Sequence, residues 1–301
     1  MIIDTHSHLG DVLYGKNITF RQNVVSRDHH DYLKRLEEND NIPYPEFLAA
    51  PEDVLMESIL NEEQARNGIA TLQNMQTALD KNEVDRVWVL PILPTISFEE
   101  VLAASKLEPR IVPFTGIDFR LGAAAVDKAL ADAEKGAGGL KVHPILQRRP
   151  MDDEVILRTL EAWESVGKPV VFHTYRYDYY HPEQSHLYNI EFGSNPKFVE
   201  LAGRFPKLTM IAAHAGGPFD FAEILEGKDL PNLYVDTSFQ TGEVIEMFLR
   251  DFGPERVMFG SDWPWGCMET PIRLLKQIAG DDASLADLLF CENALRLQGE
   301  E

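Results

Sequence analysis

IIDTHSHL, residues 2–9, is a short apolar run that ends in two histidines one residue apart. Seven more runs of the same kind follow: RVWVLPI (86–92), IVPFTGI (111–117), GGLKVH (138–143), KPVVFH (168–173), LTMIAAH (208–214), NLYVDTS (232–238) and RVMFGSD (256–262). Most show no polar alternation, as expected of strands buried on both faces of a parallel sheet. Helical spacing fills gaps between them, at 122–135, 152–166, 194–204, 218–228, 240–251 and 268–279, and a last helix is expected near 284–296. Gly136 and Gly167 stop the first two, and Pro196 fits the first turn of the third. Eight strands alternating with helices predict an α/β fold, a distorted (β/α)8 TIM barrel in a single domain spanning 1–301. An open doubly wound sheet is the alternative, but no G-x-G-x-x-G or P-loop fingerprint supports it, and no nucleotide cofactor is expected.

Two stretches depart from the repeat. Residues 10–50 form a polar insertion after the first strand, with His29 and His30 inside it. Residues 174–192, TYRYDYYHPEQSHLYNIEF, form a Tyr-rich insertion after the fifth. Both leave C-terminal strand ends, where barrel enzymes carry their binding loops.

Charge narrows the partners. Against 28 basic residues stand 49 acidic ones, a formal net charge of −21. Such a chain does not suit a nucleic-acid backbone or an anionic membrane. The charge says little about a small-molecule substrate, which is the expected partner, since a site can be locally positive inside an acidic protein. Two cysteines, Cys267 and Cys291, make neither a disulfide framework nor a Cys-rich zinc site. MIIDTHSHLGD lacks the basic and apolar regions of a signal peptide, and no run is long enough to span a membrane. The expected location is cytoplasmic.

Of nine histidines, five end these runs: His6, His8, His143, His173 and His214. Asp262 ends the eighth run. Closing the strands into a barrel would bring all six to one rim. Residues two apart on a strand share a face, so His6 and His8 can reach one ion. Neutral imidazole is the commonest protein ligand for zinc and related metals. With His173 and Asp262 added, a position stays open for water, as in catalytic sites. A lone His-x-His means little; the ordered set carries the argument.

DTHSHL, VVFHTY, IAAHAGG, FGSDWPWG and the closing ENALRL together resemble the amidohydrolase superfamily. Within it they are similar to the amidohydrolase-2 branch that includes the aminocarboxymuconate semialdehyde decarboxylases. The resemblance runs from Asp4 to Leu297. It implies a barrel with one divalent ion at its mouth, usually zinc, held by His6, His8, His173 and Asp262. Manganese, iron or cobalt would suit the same donors. The resemblance also implies that His214 moves protons near the ion, and such barrels often pair as homodimers. Two-metal members of the wider superfamily carry a bridging carboxylated lysine, a role Lys141 could resemble; the one-metal branch lacks it.

Weaker candidates for substrate contact are His143, Lys141, Arg120, Arg176 and Trp263. Arg120 and Arg176 could clamp a carboxylate through a bidentate fork. Trp263 and Trp265 could wall the pocket. His181 and His186 read as loop residues.

Three functions stay open. One is hydrolysis of a small amide, ester or lactone by metal-activated water, with Asp262 or His214 taking the proton. The second is non-oxidative decarboxylation of a small unsaturated or aromatic acid. The third is a metal-binding barrel without catalysis.

Overall fold

The computed structural model describes residues 1–25, 32–187 and 189–300. Among the described residues nine short parallel strands make up the sheet: β1 (Ile3–Ser7), β2 (Arg86–Val89), β3 (Ile111–Pro113), β4 (Thr115–Gly116), β5 (Leu140–Val142), β6 (Val170–His173), β7 (Met210–Ala213), β8 (Leu233–Asp236) and β9 (Val257–Met258). They pair in sequence order, β1-β2-β3 and β4 through β9. β3 and β4 are two halves of one barrel strand. The chain changes partner at Phe114, whose N–H donates to Val89 O while Thr115 N–H donates to Gly139 O. The barrel closes between its first and last strands. Thr5 N–H donates to Phe259 O, Asp262 N–H to His6 O and His8 N–H to Trp263 O, at 2.7–3.0 Å. The eight expected runs thus become the eight staves of a closed barrel, each shorter than its apolar run.

Single residues from many strands (Ile3, Trp88, Phe114, Val171, Ile211, Met258) meet in one cluster, which only the barrel interior allows. Ala294 of the last helix packs onto it, at the end opposite the histidines. A larger apolar layer lies between sheet and helices and includes Trp163 and Phe248. Several helices start where a side chain caps a free N–H: Thr71 before Leu72–Lys81, Ser97 before Phe98–Leu107, Asp153 before Glu154–Trp163 and Thr241 before Gly242–Phe252.

The first insertion corrects the expected boundary. It runs past residue 50 and is largely helical, with helices Tyr32–Glu38, Pro45–Ala49 and Glu52–Asn67. The last of these buries Glu62, Glu63, Arg66 and Asn67 alongside Leu60, so its inner face is polar and leaves no apolar periodicity to read. The second insertion holds short 3-10 turns, Pro182–Leu187 and Ile190–Gly193. His29 and His30 lie outside the described residues. Among the described residues no helix is long and apolar enough to cross a membrane.

Candidate active site

His6 sits in β1 and His8 just beyond it, and their Nε2 atoms are 3.2 Å apart. Asp262 Oδ1, carried on the turn after β9, lies 3.3 Å from His6 Nε2 and 3.2 Å from His8 Nε2. The partners of each ring decide its tautomer. His6 Nδ1–H donates to Asp236 Oδ2 at 2.8 Å, and His8 Nδ1–H donates to Leu90 O at 2.6 Å. Burial, with Lys141 adding to it, holds both imidazoles well below their usual range, so both rings are neutral. Each therefore turns an Nε2 lone pair toward Asp262.

Three acceptor atoms thus converge in a buried spot. Among the described residues Asp262 Oδ1 has no hydrogen-bond partner. Burial pushes its carboxyl well above the usual carboxylate range when no cation stands between the three. An orphaned carboxylate oxygen facing two imidazole lone pairs is what a divalent cation would satisfy. The three residues can hold a metal ion. His6, His214 and Asp236 form a second such group, but there the oxygens are already in use. Asp236 Oδ2 accepts from His6, and Asp236 Oδ1 accepts from His214 N–H, Ser238 N–H and the Ser238 hydroxyl. Asp236 is an orienting residue rather than a ligand. The run NLYVDTS shows it ending a buried strand as Asp262 does, which is the signal that could have singled it out.

His173 stands outside the trio. Its Nε2–H donates to Tyr175 O at 2.6 Å and lies 3.1 Å from the Tyr179 hydroxyl, which leaves the lone pair on Nδ1. His143 stacks on it with ring centroids 3.9 Å apart, and His143 Nδ1 accepts from Leu146 N–H. His143 thus buttresses His173 and caps the short helix Pro144–Gln147. Lys141 is fully buried on β5, with Nζ 3.2 Å from His6 Nε2; burial lowers its pKa to about 8.

His214 begins a left-handed turn after β7. His214 and Ala215 have φ of 63° and 44°, and Asp262 has φ of 58°. Non-glycine residues held this way cluster at functional sites. The turn is tightly filled: a Cβ at Gly217 would lie 2.2 Å from the Tyr175 ring. The Ser238 hydroxyl is committed to Asp236, so His214 Nδ1–H donates to Ser238 Oγ at 2.8 Å. The His214 Nε2 lone pair then lies 3.9 Å from Asp262 Oδ2.

A cavity of about 130 Å³ opens above Asp262 and His214. Phe239, Trp265 and the Tyr-rich loop, through Tyr177 and Tyr179, wall it, and helices of the first insertion roof it with Leu36, Phe47 and Glu63. Sequence reasoning missed Glu63 for the reason given above for its helix. Other expectations need correction. Arg120 pairs with Asp118, and its side chain is 68% exposed outside the cavity. Arg176 is taken up by Asp220 and Glu223. Neither forms a carboxylate clamp. Trp265, not Trp263, contributes to the wall. No Arg or Lys stands among the described lining residues.

A family model described as amidohydrolase matches residues 3–299. No curated protein matches the chain significantly. Solved structures with the same fold include one from Acinetobacter baumannii assigned as a 2-pyrone-4,6-dicarboxylic acid hydrolase, with citric acid bound. It has 16% identity, a TM-score of 0.60 and 99% coverage of both chains. The 5-carboxyvanillate decarboxylase of Sphingomonas paucimobilis shares 15% identity at a TM-score of 0.63, over 99% of this chain and 98% of that one. The 5-carboxyvanillate decarboxylase of Novosphingobium aromaticivorans, complexed with manganese and 4-hydroxy-3-methoxy-5-nitrobenzoic acid, shares 15% identity at a TM-score of 0.64, over 99% and 96%.

Proposed function

The chain belongs to the amidohydrolase family, and from that premise we propose that it is a metal-dependent hydrolase acting on a small, uncharged amide, ester or lactone. One observation carries the reading: the orphaned Asp262 Oδ1 faces the lone pairs of His6 and His8 beneath an aromatic cavity whose described lining has no Arg or Lys. Such a cavity suits a neutral substrate better than a free acid.

His6, His8 and Asp262 would hold the ion, and His173, across the barrel mouth with a lone pair on Nδ1, is the fourth candidate donor. Zinc is the ion this donor set suits first, and manganese is a second choice. When bound, the ion supplies a water of lowered pKa and polarises the substrate carbonyl. His214 holds its Nε2 lone pair on the cavity side, where it can take a proton from the attacking water and return it to the leaving group. Asp236 keeps His6 in the required tautomer and fixes the turn that carries His214. Phe239 and Trp265 exclude bulk water from the reacting carbonyl.

A second reading, decarboxylation of a small unsaturated or aromatic acid, draws on one observation: the buried Lys141 amine beside His6 can neutralise a substrate carboxylate. A panel of lactones, esters and amides, run beside 2-hydroxybenzoate-type acids with carbon dioxide measured, separates the two. Metal-dependent hydrolysis without carbon dioxide supports the first reading. Carbon dioxide release from the acids, with no hydrolysis, replaces it with the second. Activity untouched by complete metal removal refutes the metal's role in either.

A further inference from the structure

The cavity holds two polar groups that the hydrolytic reading does not use. Glu63 and Tyr177 both line it, and both are buried, at 9% and 7% exposure. The Tyr177 hydroxyl lies within hydrogen-bonding reach of the Glu63 carboxyl, but the pair is poorly aligned, and among the described residues Glu63 Oε2 and the hydroxyl have no other partner. Buried polar atoms left this way are costly, and in an otherwise aromatic cavity they mark where a ligand's polar group belongs. A carboxyl group accepts a hydrogen bond and a phenol can donate or accept one, and a hydroxyl group can meet both. The cavity size agrees: about 130 Å³ is close to the roughly 150 Å³ that accepts a benzene ring in an engineered protein core.

We propose that Glu63 and Tyr177 form the specificity end of the site and bind an uncharged hydroxyl substituent on a substrate about one ring in size. The inference rests on the reading of this cavity as the substrate site. No Arg or Lys stands among the described lining residues, so a negatively charged substituent is disfavoured there.

Binding rather than turnover tests it. Phenol, toluene and benzoate are titrated into the metal-loaded full chain by calorimetry. The wild type should prefer phenol to toluene by about ten-fold. Glu63→Leu should erase that preference. Glu63→Gln, which keeps a donor and an acceptor, should retain it, and Tyr177→Phe should reduce it. Thermal melts of each variant show whether it is folded; if Glu63→Leu does not fold, Tyr177→Phe against Glu63→Gln decides. An equal preference for phenol in Glu63→Leu, no preference in the wild type, or Glu63-dependent binding of benzoate above phenol would each overturn the proposal. Failure of the hydrolytic reading shows separately, as carbon dioxide release from acids, and leaves the phenol preference where it was.

Discussion

Asp262 combines a buried, unpaired oxygen with a left-handed backbone, both tolerable only if something compensates for them. Replacing it with Asn removes a buried charge at nearly constant shape. Asp262→Asn should therefore bind far less metal by elemental analysis and lose turnover, while the metal-free variant stays within about 1 kcal/mol of the metal-free wild type. A metal-free variant several kcal/mol less stable would mean that Asp262 is a structural residue. Glu63 allows a cleaner pH argument. Its folded pKa is raised above 4.5, so the native state holds the proton longer than the unfolded chain does. Its contribution to stability is complete below pH 4.5 and is lost as pH rises toward the folded value, at about 1.4 kcal/mol per pH unit. Glu63→Gln has no such loss, so its urea stability relative to wild type should grow between pH 5 and pH 7. A constant difference would show that Glu63 ionises normally. Sequence alone marks His6, His8, His214 and Asp262, because each ends a recognisable strand. It does not mark Glu63, because no local pattern places a mid-helix glutamate over a barrel mouth.

The roof of the cavity depends on one ion-pair cluster. Arg66 donates to Glu62 from Nε at 2.7 Å and to both carboxylate oxygens of Glu37, at 2.6 and 2.9 Å. Arg66 also donates to Trp265 O, and Glu37 accepts from Cys267 N–H. Two insertion helices, Tyr32–Glu38 and Glu52–Asn67, are thereby fastened to the loop that follows Asp262. The arrangement is buried, so breaking it on one side strands charge. Arg66→Met should cost about 3 kcal/mol or more, and adding Glu37→Met should recover part of that loss. Additive effects in urea melts of the single and double variants would deny the coupling. This element was the least legible in the sequence. The barrel helices show apolar spacing because they pack on a sheet. The insertion helix packs through Arg66, Glu62 and Asn67, so its inner face resembles a solvated one until the tertiary partners are known.

Across the whole molecule, the eight apolar runs predict the barrel because parallel strands buried on both faces leave an unambiguous trace. What they do not predict is how the barrel is fastened at its seam. β1 meets the segment after β9 through three backbone hydrogen bonds, a single bridge, Ser7 to Trp263, and side-chain bonds of Thr5 to Phe259 O and of Ser261 to Asp4, whereas β6, β7 and β8 pair along three or four residues each. His6 and His8 lie on one side of that seam and Asp262 on the other. An ion held by the three would join the first strand to the last. At a hundredfold excess over its dissociation constant it would add about 2.7 kcal/mol to the folded state. The added protection should be uneven, because opening the seam alone already releases the ion. Chelation should lower the melting temperature by several degrees. It should also speed amide exchange at residues 3–9 and 259–266 far more than at β6, β7 and β8, as read by hydrogen–deuterium exchange with and without metal. Exchange that rises uniformly around the barrel would instead mean that the ion stabilises only the global fold, and that the first and last strands are held together without it.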